Sequence, residues 1–113
     1  MPKGNTFRAK DGTGDASRLK LEAGTNQSIY VNRANTVLIP AASGITINTI
    51  DCPLSGQIRL TNDSSDSVTL VDNTGNLELN GANVVLTTGR SAILEKKITG
   101  STTEWLIAGT VGK

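Results

Sequence analysis

Histidine is absent from this 113-residue chain, and the aromatic residues are one Phe, one Tyr and one Trp. Without His, the commonest general base, proton shuttle and metal ligand is missing. Neither a Ser–His–Asp nor a Cys–His arrangement assembles. A single cysteine, Cys52, rules out an internal disulfide and a multi-Cys zinc site. It reads as a small buried apolar residue, and as a lone nucleophile it would lack its base. Few rings mean few stacking platforms for bases, and the same poverty weakens a sugar-binding reading. Charge of one sign is also missing: 11 Lys and Arg stand against 10 Asp and Glu, so nothing pulls the chain toward nucleic acid or anionic lipid. No apolar run of about 18 residues occurs, and none follows Met1–Asn5, so neither a membrane span nor a signal peptide is expected. The expected site of synthesis is a reducing cytoplasm, where the Asn-x-Ser triplets at Asn26 and Asn62 stay unglycosylated. No Gly-rich phosphate-binding motif is present, and the glycines read as turn residues.

What remains is aliphatic alternation. From Ser28 onward, candidate strands are 28–31, 36–39, 45–50, 57–61, 67–71, 76–79, 83–86, 91–98 and 104–108. Apolar pairs two residues apart recur: Ile45 and Ile47, Ile58 and Leu60, Val68 and Leu70, Leu77 and Leu79, Val84 and Leu86. A period of two marks half-buried strands, and Ile, Val and Thr suit them. Turn residues separate the runs, with Asn80-Gly81 the clearest type I′ hairpin signal. The segment 92–97 is the only helix-like stretch, and its neighbours favour a long strand. The expected fold is all-β, an antiparallel β-sandwich of jelly-roll type with an extended N-terminal arm. A β-solenoid of stacked rungs is the runner-up, since turn spacing shows no clear repeat. A core of Ile, Val, Leu and Thr methyls is thin, which favours further burial against a partner.

The expected division is an arm, residues 1–27, and a β-sandwich domain, residues 28–113. The arm is polar and Gly-rich, with five cations (Lys3, Arg8, Lys10, Arg18, Lys20) and three acids. It reads either as a loose tail or as a clamp on a neighbouring surface. Phe7, Leu19 and Leu21 are its apolar anchors, and Leu19-Lys20-Leu21 alternates as a strand that could add to another subunit's sheet. Phe7, Arg8, Lys10, Arg18, Leu19, Lys20 and Leu21 are therefore the candidate partner-binding residues. Tyr30 joins them, since it faces away from Ile29 and Val31. Trp105 reads as core closure at the last strand. Asn62, Asp63, Asp66 and Asp72 form an oxygen-rich stretch that reads as a solvated hairpin loop, with a calcium site as the alternative. Glu78 and Glu95 read as outward-facing or paired with Arg59 and Lys96, and Lys96-Lys97 as edge protection. No catalytic, cofactor or resident metal site is expected.

Residues 56–109 carry a further signal. A Gly-containing turn leads to a strand ending Thr61-Asn62. A polar Ser/Asp turn follows, then Val68-Thr69-Leu70, Gly75-Asn76-Leu77, Gly89-Arg90-Ser91-Ala92 and Thr103-Glu104-Trp105. This succession resembles small β-rich proteins of tailed-phage (bacteriophage) virions. The resemblance implies a non-enzymatic structural protein, a capsid decoration or cement protein on the virion exterior. It implies a jelly-roll-like homotrimer that binds the major capsid protein and bridges neighbouring capsid subunits, without nucleic acid, membrane or cofactor. The alternative is a tail-fibre or receptor-binding module that attaches to host surface glycans; head-fibre modules share the pattern.

Overall fold

The computed structural model describes residues 6–8 and 16–112. These form eleven strands: β1 (Thr6–Arg8), β2 (Ala16–Leu21), β3 (Gln27–Tyr30), β4 (Asn35–Pro40), β5 (Ile45–Asp51), β6 (Gln57–Asn62), β7 (Val68–Leu70), β8 (Leu77–Glu78), β9 (Val84–Leu86), β10 (Ser91–Thr99) and β11 (Thr102–Val111). No helix occurs among the described residues, and 92–97 lies within β10.

Strands alternate between two mixed sheets, ordered β1-β3-β5-β7-β9 and β2-β4-β6-β10-β11-β8. From β1 to β7 the chain crosses to the other sheet at every connection and returns parallel to the strand it left two elements earlier. In the first sheet the returns stack aliphatic on aliphatic: Ile29 lies beside Ile50, Ile45 beside Val68 and Ile47 beside Leu70. The winding then reverses. β9 runs antiparallel to β7, β10 antiparallel to β6, and β11 turns back on β10 through Gly100-Ser101.

The all-β class holds, while the expected antiparallel pairing is corrected. Six of the nine pairings among the described residues are parallel and three antiparallel. Alternation reports which side of a strand is wet, and says nothing of its neighbour's direction. The stacked-rung alternative describes β1 to β7. Its period is irregular, since Ala16 meets Asn35 whereas Asn35 meets Arg59. Asn80-Gly81 shows the same limit of local signals. Both residues take positive φ, 64° and 90°, as a type I′ turn requires. Yet β8 and β9 belong to different sheets, so this turn is a corner and not a hairpin.

The space between the sheets is filled by one aliphatic cluster including Leu38, Ile45, Ile47, Ile58, Leu60, Leu70 and Leu94, with Trp105 its one ring among the side chains described. Each such side chain contributes about 1.5–3 kcal/mol on burial. Leu19 and Leu21, assigned from sequence to a free arm, belong to this cluster at 1% exposure each. The expected boundary at 27/28 falls inside β3, whose first residue Gln27 is itself buried. The arm reading is therefore corrected for residues 16–27: Arg18 and Lys20 hide the alternation from composition, but Leu19 and Leu21 supply it. Gly75 fits where nothing larger does. A Cβ there would collide with the Asn48 carbonyl oxygen and the Thr49 hydroxyl, and stand 2.8 Å from the Asn48 carbonyl carbon.

Leu19→Ala and Leu38→Ala are each expected to lower stability by about 2–5 kcal/mol. Ile98→Ala, at 63% exposure on the β10–β11 ribbon, changes it by less than about 0.5 kcal/mol. Urea unfolding of the three variants checks this.

Candidate interaction surface and cleft

The candidate contact residues separate by strand geometry. Phe7 and Arg8 lie on β1, opposite Ile29 and Tyr30 of β3; Lys10 lies outside the described residues. Arg18 and Lys20 are exposed on the outer face of β2, whereas Leu19 and Leu21 point into the core and offer no contact surface. Tyr30 is half-buried on the outer face of β3, with Arg8 on one side and Asp51 on the other in register. β1 and β2 are the outermost strands of their sheets, each with a strand neighbour on one side only among the described residues.

The polarity of the β2 edge follows from one hydrogen bond. Ala41 N–H donates to the Leu21 carbonyl at 2.8 Å, so Leu21 directs its backbone groups toward β4. In a parallel pair successive residues alternate sides. Leu19 therefore also faces β4, and the N–H and C=O groups of Arg18 and Lys20 face away from the sheet. The Arg18 guanidinium lies 3.8 Å from the Asp63 carboxylate, with both side chains more than half exposed. Solvent screening holds such a pair to about 0–1 kcal/mol.

The oxygen-rich stretch after β6 is organised by Asn62, which is fully buried. Its amide nitrogen donates to the Asp66 and Leu86 carbonyls at 2.6 and 2.7 Å. Its amide oxygen accepts from the Ser64 N–H and hydroxyl at 3.1 and 3.2 Å. Both polar atoms of this side chain are thus spent on the loop's own backbone and on β9. Asn76 plays a similar part: its side chain accepts from Ile50 N–H at 2.8 Å and donates to the Ile50 carbonyl at 2.7 Å, standing in for a strand. Among the described residues no three His, Cys, Asp or Glu side chains converge as a metal would need.

A cleft of about 330 Å³ opens between the end of β5 and the β10–β11 ribbon, lined by Cys52, Asn76, Lys96, Thr103 and Trp105 among others. Lys96 Nζ donates to the Cys52 carbonyl at 2.9 Å and stands 5.6 Å from the centroid of the Trp105 ring. A cation over an indole contributes about 0.5–1 kcal/mol at such a site. Sequence reading paired Lys96 with an acid or gave it to edge protection; its actual partner is a carbonyl 44 residues away. No local signal encodes that contact. Trp105 is fully buried, as expected of a core-closing residue, and its Nε1 has no hydrogen-bond partner among the described residues. Burial pushes the Cys52 thiol up from its ordinary range, against a lowering backbone hydrogen bond at Leu54 and the Lys96 charge. A protonated thiol is a poor nucleophile. No protein family, curated protein or solved structure matches the chain.

Two predictions follow from these contacts. Asn62→Ala is expected to destabilise by about 3 kcal/mol, because it strands buried carbonyls and an N–H together; denaturant unfolding measures it. For Cys52 the sign is fixed by the raised folded-state value. The folded protein keeps its thiol proton where the unfolded chain releases it. The contribution is complete below the ordinary thiol range of about 8.5 and is lost as pH rises through the folded value. Stability of the native protein should therefore fall more steeply than that of Cys52→Ala above about pH 8, in matched melts.

Proposed function

We propose that this is a structural virion protein, a capsid decoration protein that binds the outer surface of a phage capsid and bridges neighbouring major capsid protein subunits. We read it as a non-enzyme, homotrimeric on the particle, made in the host cytoplasm and carried on the virion exterior. The observation that supports this most is the end of the molecule formed by β1 and β2. There, four of the candidate contact residues, Phe7, Arg8, Arg18 and Lys20, lie on strands that each have a neighbour on one side only among the described residues. A sheet edge offers backbone donors and acceptors that another protein's extended segment satisfies. Repetition of a modest contact in a trimer multiplies it through effective concentration. The resemblance of residues 56–109 to tailed-phage virion proteins supports the same reading. The finer description as a jelly roll is not part of it, since the pairing is a parallel winding that reverses late.

Removal of residues 1–22 would take away Leu19 and Leu21 with the arm, so the informative truncation ends before β2. A chain lacking residues 1–15 is expected to keep its cooperative melt and to lose co-sedimentation with expanded capsids of the encoding phage. Full-length protein should co-sediment at a fixed copy number. Absence of capsid binding by the full chain, with saturable attachment to host cells or glycans instead, would favour the receptor-binding module.

A further inference from the structure

The outer edge of β2, which has no strand neighbour among the described residues, carries two features on one strand. The backbone groups of Arg18 and Lys20 face away from the sheet, as the Ala41-to-Leu21 hydrogen bond dictates. Their side chains are exposed on the outer face, while Leu19 and Leu21 point inward at 1% exposure. A strand laid along this edge would set alternate residues beside two exposed cations.

We infer that β2 is a docking edge for an extended segment with acidic residues at alternate positions, adding a strand to the six-stranded sheet. This deepens the decoration reading, on which it rests, by naming the chemistry of the capsid-side partner. Charge complementarity selects the occupant. A second copy of the same edge, paired antiparallel, would bring Arg18 and Lys20 against Arg18 and Lys20, and like charges facing one another across strands repel. An acidic row pairs with them instead. Asp63 already shows the preference, reaching Arg18 from the turn after β6. Leu19 and Leu21 are already covered at 1% exposure and take no part in the choice, so the two cations alone set the selectivity. Cations on an edge strand also serve simply to keep other strands away, and the test separates the two roles.

The test uses the full chain with two end-capped peptides, one alternating valine with glutamate and one alternating valine with lysine. The glutamate peptide should produce saturable shifts at the backbone amides of Arg18 and Lys20, and bind on the order of tenfold more tightly than the lysine peptide. Lys20→Glu, at an exposed position that leaves the core intact, should reverse that preference. Equal responses to both peptides, or none at those two amides, would overturn the inference. Capsid co-sedimentation of folded Lys20→Glu protein tells the two proposals apart. Loss of binding supports the edge as the contact. Binding at the native level overturns the edge and leaves the decoration reading standing. Selective peptide binding by a chain that ignores capsids supports the edge and removes the decoration reading.

Discussion

The fold depends on one constraint: aliphatic side chains from successive rungs must stack between two sheets, because the chain has almost no rings to fill that space. Ile29 on Ile50, Ile45 on Val68 and Ile47 on Leu70 are the result. Parallel return suits this packing, since it repeats the same side-chain direction at the same height and, from β3 to β7 in the first sheet, sets aliphatic residues side by side. Burial of many small contributions replaces the large ones that Phe and Tyr supply elsewhere. Trp105 is the exception, and it sits where the late antiparallel strands close the winding.

A winding chain has corners, and corners leave backbone groups without ladder partners. Asn62 and Asn76 supply the missing partners from their side chains, each making both donor and acceptor contacts to backbone. The polar turns flagged by sequence are thus structural joints. This accounts for the Asn- and Asp-rich stretch 62–66, whose first residue, Asn62, turns its amide onto its own loop and onto β9. Lys96 does comparable work at the cleft, tying the β10–β11 ribbon to the Cys52 carbonyl.

The nine strands from residue 28 onward were legible because period-two alternation is a local property; each corresponds to an observed strand. Strand direction was not legible. Val68-Thr69-Leu70 looks the same beside a parallel β5 as beside an antiparallel β9, and it has both. Asn80-Gly81 announced its backbone conformation but not its partners. Residues 16–21 were misassigned because Arg18 and Lys20 make the segment look polar, though Leu19 and Leu21 already carried the core pattern. Among the candidate contact residues, Arg18 and Lys20 were readable as surface cations. That they share one strand edge with outward backbone groups depended on pairing, which only the folded chain specifies.

Function and fold meet at that edge. If β2 is an edge strand of this winding, its amides must alternate in protection. Native-state hydrogen exchange on the isolated protein measures this directly. The account predicts slow exchange at Leu19 and Leu21, whose N–H groups face β4, and fast exchange at Arg18 and Lys20. Uniform protection along residues 18–21, or uniform lability, would contradict it.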